Sequence, residues 1–177
     1  HSLAAEGLGA HLLFTPQLLA IGVLSSIAAL AAHADGAEDP AMMARVARQG
    51  MRLATLLAIP VMLLLVAIPY GLEAAGREPD IVHMIRGMLL AGIAGVPALL
   101  WYTALRNFST VLRKTRIVVI ISFASLAVAI GSNWLFLYGN LGAPALGVVG
   151  IGVSWTLASW AQLLIMIAYV RRQSALK

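Results

Sequence analysis

Charge is scarce in this sequence and cysteine is absent. Lys and Arg number 12 and Asp and Glu only 7 among 177 residues, about half the charged share of an ordinary soluble domain. Without cysteine there is no disulfide framework and no thiolate metal site, so the redox compartment is not legible. No Asp, Glu, Lys or His lies deep inside an apolar stretch; His33 sits at the end of the first, and Glu73 and His83 lie near the ends of the second and third. There is no HExxH, no carboxylate pair within a stretch, and no Ser-His-acid set at one depth. Buried chemistry would then have no proton carrier, so no enzyme is expected. No glycine-rich run is followed by GK[ST], which excludes a phosphate loop.

What fills the chain instead is apolar: 61% of residues are hydrophobic, too many to hide inside so small a globule with one polar stripe per helix. A hydrocarbon core about 30 Å thick needs about 20 such residues in a helix. Five stretches qualify, at approximately 12–32, 53–72, 86–106, 117–138 and 146–170. In lipid the backbone must satisfy itself, so the expected fold is all-α, a polytopic membrane protein of five helices.

The basic residues set an expected orientation. Arg45, Arg48, Arg52, Arg106, Arg113, Lys114, Arg116, Arg171, Arg172 and Lys177 fall on one side, and only Arg77 and Arg86 on the other, with Glu6, Glu73, Glu78 and Asp80. The positive-inside rule makes the richer side cytoplasmic, with the N-terminus of the chain outside and the C-terminus inside. Charges split in this way do not form the contiguous face that nucleic acid requires. A chain that begins outside, at His1 and without a signal peptide, is expected to follow a helix that precedes it.

Local signals refine this picture. "EDPAMMARVARQGMRL" reads as a short amphipathic helix leading into the second stretch, with Asp39 as cap, Pro40 in the first turn, and Arg45, Arg48 and Arg52 on one face. It is either a gate or lipid contact on the cytoplasmic surface, or a basic anchor at the headgroups. Gly92, Gly95 and Pro97 cluster in the third stretch, and Gly95 and Pro97 mark a hinge or a static kink. "YGNLGAPALG" reads as a tight turn, and Gly150, Ser154 and Ala158 form a small-residue stripe for close helix packing.

Polar residues inside spans are functional candidates. On the fourth stretch Ser122, Ser125, Ala129, Ser132 and Asn133 fall within roughly 100° of one another. They either line a cavity, with Asn133 binding a cation or substrate, or bond across to neighbouring helices. Ser154, Trp155 and Gln162 on the fifth are weaker candidates.

The order of "HADGAEDPAMMARVARQGMRLATLLAIPVMLLL", "GREPDI", "GVPALLWYTALRNFSTVL" and "SNWLFLYGNLGAPALGVVGIGVSW" resembles the multidrug and toxic compound extrusion (MATE) transporters over nearly the whole chain. The resemblance implies two six-helix lobes with both termini cytoplasmic, this chain corresponding to helices two to six of the N-terminal lobe. It implies a bacterial inner-membrane antiporter that expels organic, often cationic, small molecules in exchange for H+ or Na+, with no other cofactor, by rocking of the lobes. The first helix and the C-terminal lobe are then expected partners, and this piece alone is expected not to transport. Of the family's two polar positions on the fifth helix, one matches Ala129 and the other Asn133; a threonine of the sixth matches Trp155, between Ser154 and Thr156. Two other readings remain: a lipid-linked sugar flippase-like relative, which should have a more cationic cavity, and a small structural or channel protein complete in five spans.

Overall fold

A computed structural model describes residues 2–36, 40–111, 115–138 and 147–174. These form six helices: α1 (Ser2–Gly36), α2 (Pro40–Ala74), α3 (Pro79–Ile93), α4 (Gly95–Val111), α5 (Thr115–Tyr138) and α6 (Val148–Ser174). Among the described residues there is no strand. Four helices are long and apolar enough to cross a membrane, and α3 with α4 makes a fifth crossing bent by 46°. Large apolar side chains point outward, Leu19 at 71% and Phe123 at 68% exposure. A monomer in water does not display such a surface. The protein is an all-α polytopic membrane protein.

The second stretch is one continuous 35-residue helix. The basic segment expected as a separate short helix forms its opening turns, with Pro40 where a missing N–H costs nothing; Asp39 lies outside the described residues. α2 ends in a Schellman turn. Gly76 takes φ +72, Gly76 N donates to Glu73 O and Arg77 N to Leu72 O, an arrangement that glycine adopts without strain. Across this turn Arg86 Nη2 donates to Glu73 Oε1 at 2.8 Å, and the Arg86 Cζ lies 4.9 Å over the Tyr70 ring. The pair is half exposed and contributes little stability.

The third stretch is broken at Ala94, beside the hinge candidates Gly95 and Pro97. At 15 and 17 residues, α3 and α4 span the core only together. Pro97 has no N–H for the Ile93 carbonyl and crowds it. Beside the break, α6 donates to two carbonyls. Thr156 Oγ1 donates to Ala91 O at 2.7 Å, and Trp160 Nε1 donates to Ala94 O at 2.9 Å. Thr156 and Trp160 are four apart, so one face of α6 reaches both carbonyls.

This requires backbones in near contact. A Cβ on Gly152 would fall on the Met88 carbonyl oxygen, and one on Gly95 would lie 3.0 Å from Thr156 Cα. Glycine at these two positions is what lets α6 seat on the break. The expected stripe of Gly150, Ser154 and Ala158 is buried as well. α6 therefore uses two faces, one toward α3 and α4 and one toward α5.

α1, α2, α3 and α4 share the larger core, with Leu13, Leu24, Leu65, Ile85, Met88 and Leu100 fully buried. α4 is also tied by polar bonds: Asn107 Nδ2 donates to Leu24 O at 3.0 Å, and Trp101 Nε1 donates to Thr55 Oγ1 at 3.0 Å. A second core joins Ala98, Tyr102, Ile121, Leu163 and Met166. α5 is held almost wholly by α6 and barely meets α4.

Candidate functional site

Because α4 and α5 share α6 but scarcely touch, a cavity of about 410 Å³ opens between the three helices. Leu99, Leu126, Ala129, Trp155 and Ala158 make its apolar wall, and Ser122, Ser125, Ser159 and Gln162 its polar one. The polar groups sit toward the N-terminal half of α5 and the middle of α6. Ala129 and Trp155, one to two turns away, leave the other end apolar.

The hydroxyls are largely spent on their own helices. Ser122 Oγ donates to Val118 O at 2.9 Å, Ser125 Oγ to Ser122 O at 2.9 Å, and Ser159 Oγ to Trp155 O at 2.9 Å. This back-bonding satisfies the donor in lipid and leaves oxygen lone pairs free to accept. Gln162 Nε2 uses one of them, donating to Ser125 Oγ at 2.8 Å. This bond orients the amide and crosses between helices. The Tyr102 phenol of α4 lies against Ser122.

The structure brings Ser122, Ser125 and Gln162 to one cavity. It does not place Ser132, Asn133 or Ser154 on that lining. Ser132 Oγ donates to Val128 O at 2.6 Å. Asn133 Oδ1 and Ser154 Oγ are buried without a hydrogen-bond partner among the described residues. Such atoms are costly in hydrocarbon unless something else meets them.

A third residue of this kind is Gln17 on α1. It is 1% exposed, with neither amide atom bonded among the described residues. A search for ionisable groups passes over it, although a polar side chain beside Pro16 in an apolar stretch was a legible signal. Thr156 and Trp160 were harder to find. Their role exists only because a carbonyl of another helix lies opposite. Among the described residues no group of His, Asp or Glu side chains could hold a metal ion.

Comparison with known proteins agrees with this architecture. The MatE family model matches residues 1–135. The chain is 34% identical over 167 residues to multidrug resistance protein NorM of Aliivibrio fischeri, covering 94% of this chain and 36% of that protein. It is 34% identical over 171 residues to multidrug resistance protein MdtK of Proteus mirabilis, covering 96% and 37%. With NorM of Vibrio parahaemolyticus the identity is 31% over 175 residues, covering 99% and 38%. The chain thus spans little more than a third of the length of these curated relatives.

Proposed function

The chain belongs to the MatE family, and on that premise we propose that it forms most of one lobe of a multidrug efflux antiporter. The full-length protein moves organic small molecules out across the bacterial inner membrane in exchange for H+ or Na+. The observation that carries this reading is the cavity between α4, α5 and α6, apolar on one wall and hydrogen-bonding on the other. Its volume of about 410 Å³ lies in the range that holds drug-sized ligands, about 300–1,000 Å³. Leu99 and Leu126 accept lipophilic surface, the Trp155 ring offers a face to an organic cation, and the Gln162 amide with the free lone pairs of Ser122 and Ser125 supplies directional contacts. No lining residue is charged, which fits loose selection by shape and stacking and speaks against a binder of anionic lipid-linked sugars.

The unpaired Asn133 and Ser154 oxygens are the best acceptors for a coupling cation or its water. Proton coupling would need an acid, and the preceding helix and the second lobe are the partners that would provide one. Alternating access is the rocking of two lobes, with the N-terminus of this segment outside and its C-terminus cytoplasmic; catalysis has no part in it. Residues 1–177 alone in vesicles are expected to give no dye efflux.

The test is dye efflux by full-length protein at matched expression. Asn133→Ala is expected to lower the rate at least about tenfold, the equivalent of about 1.4 kcal/mol. Gln162→Leu should raise the apparent KM for organic cations several-fold, and Ser122→Ala should change little. Equal efflux in all three variants would leave these residues as packing groups and remove the reading.

A further inference from the structure

The cavity between α4, α5 and α6 has one sealed end. α5 and α6 are consecutive crossings and so antiparallel, and Gln162 meets Ser125 where the polar wall stands. One turn nearer the start of α5 and the end of α6, Tyr102 of α4, Ile121 of α5, and Leu163 and Met166 of α6 pack into one cluster, none more than 4% exposed. Two of the four lie next to the lining. Met166 follows Gln162 by four residues and Ser159 by seven, which puts it on the same face of α6. The Tyr102 phenol lies against Ser122, itself part of the lining. Trp101, Leu105, Ile165 and Ile167 back the cluster, so the layer is a packed floor and not a second opening.

Above this floor the space is long. Trp155, at the apolar end of the cavity, precedes Leu163 by eight residues, about 12 Å along α6. Leu99 and Leu126 give the cavity an apolar wall. A cation on the face of Trp155 therefore has room for an apolar tail that points toward Tyr102 and Met166. Packed interiors yield little: a methylene that finds no space forces neighbouring side chains off their rotamers.

Given that organic cations occupy this cavity, we propose that Tyr102 and Met166 are specificity-determining residues, which form its floor and set the longest apolar group that a cation can carry into it. Below that limit each further methylene buries apolar surface and tightens binding. Past it the methylene must displace a packed side chain, and binding weakens. A homologous series of cations then has a single preferred chain length, fixed by the phenol ring and the Met166 side chain.

The test is displacement of tritiated tetraphenylphosphonium from full-length protein in bilayers by n-alkyltrimethylammonium ions of increasing chain length. Lipid takes up the tails equally in every variant, so a difference between variants reports the protein. In the wild type, displacement should strengthen about fourfold per methylene, the equivalent of about 0.8 kcal/mol, up to the preferred length and weaken beyond it. Tyr102→Ala should move the preferred length to a longer chain, so that the first methylene refused by the wild type tightens binding by about that fourfold instead. Met166→Ala, a milder change from the facing helix, should move it the same way. Tyr102→Phe, which restores the ring without the hydroxyl, should restore the wild-type preferred length. A uniform loss at every length in both alanine variants, with the preferred length unmoved, would make the layer a folding element only and overturn the proposal. A shift in Tyr102→Phe as large as in Tyr102→Ala would make the hydroxyl the limit and overturn it equally. Displacement that Trp155→Leu leaves unchanged at every length would put these ions outside the cavity, which overturns the transport reading itself and the floor with it.

Discussion

The α1–α2 hairpin and the α3–α4–α6 unit solve the same problem by opposite means. α1 and α2 carry Pro16, Pro60 and Pro69 and run on unbroken for 35 residues each. They meet through apolar side chains such as Leu24, Ile27, Ala58 and Leu65, while Thr15, Ser25 and Thr55 bond within their own helices. The third crossing has one proline past its first turn, Pro97, preceded by Gly92 and Gly95, and it breaks. The difference lies in the neighbour. Where α6 comes within backbone contact, Thr156 and Trp160 donate to carbonyls beside the bend; in lipid a bend without such donors would be too costly. Proline makes a break permissible, and a second helix makes it stable.

That comparison can be broken by design. The largest effect is expected from Gly152→Leu, which drives a side chain into the Met88 carbonyl and should destabilise the protein by at least about 3 kcal/mol, the upper range of overpacking, read as loss of the thermal transition in detergent. Gly131→Ala, with nothing within 4 Å, is the control and should cost nothing. Next, Trp160→Phe keeps the ring and removes the donor to Ala94 O, and should cost about 1–2 kcal/mol by the same measurement. A double cycle sharpens this: on a Trp101→Leu background, which removes the ring that Trp160 packs on (centroids 6.5 Å apart), the Trp160→Phe penalty should persist. A penalty that vanished there would mean that Trp160 acts by packing on Trp101 and not as a donor. The smallest effect is expected from Pro60→Ala, within about 0.5 kcal/mol, since α2 already runs straight past that position and surface changes away from special features are usually this small.

Much of the fold could be read from composition and spacing, because lipid leaves a chain so few choices. Five apolar stretches of span length became five crossings, and the Gly95–Pro97 cluster marked the place of the break. The boundaries were less legible. α1 and α2 extend well past their apolar centres, and the arginine-bearing turns before Leu53 continue the helix, because nothing between Pro40 and Leu53 interrupts it. Half of the proposed polar set, Ser122, Ser125 and Gln162, meets at one cavity. A shared helix face is necessary for that but not sufficient. Ser132 and Asn133 lie on the same stripe yet sit too far along α5 to reach it.

The amino-acid sequence by itself determined that this protein lives in a bilayer as helices, and in what order they cross. That follows from local quantities, apolar length and the backbone's need for internal hydrogen bonds. Only the tertiary structure decided that α6 would be the shared partner of both halves of a broken helix, and that α4 and α5 would stand apart around a cavity. Both outcomes depend on which carbonyl faces which donor across a gap of 65 or 66 residues, and no periodicity along one helix encodes the rotation of another.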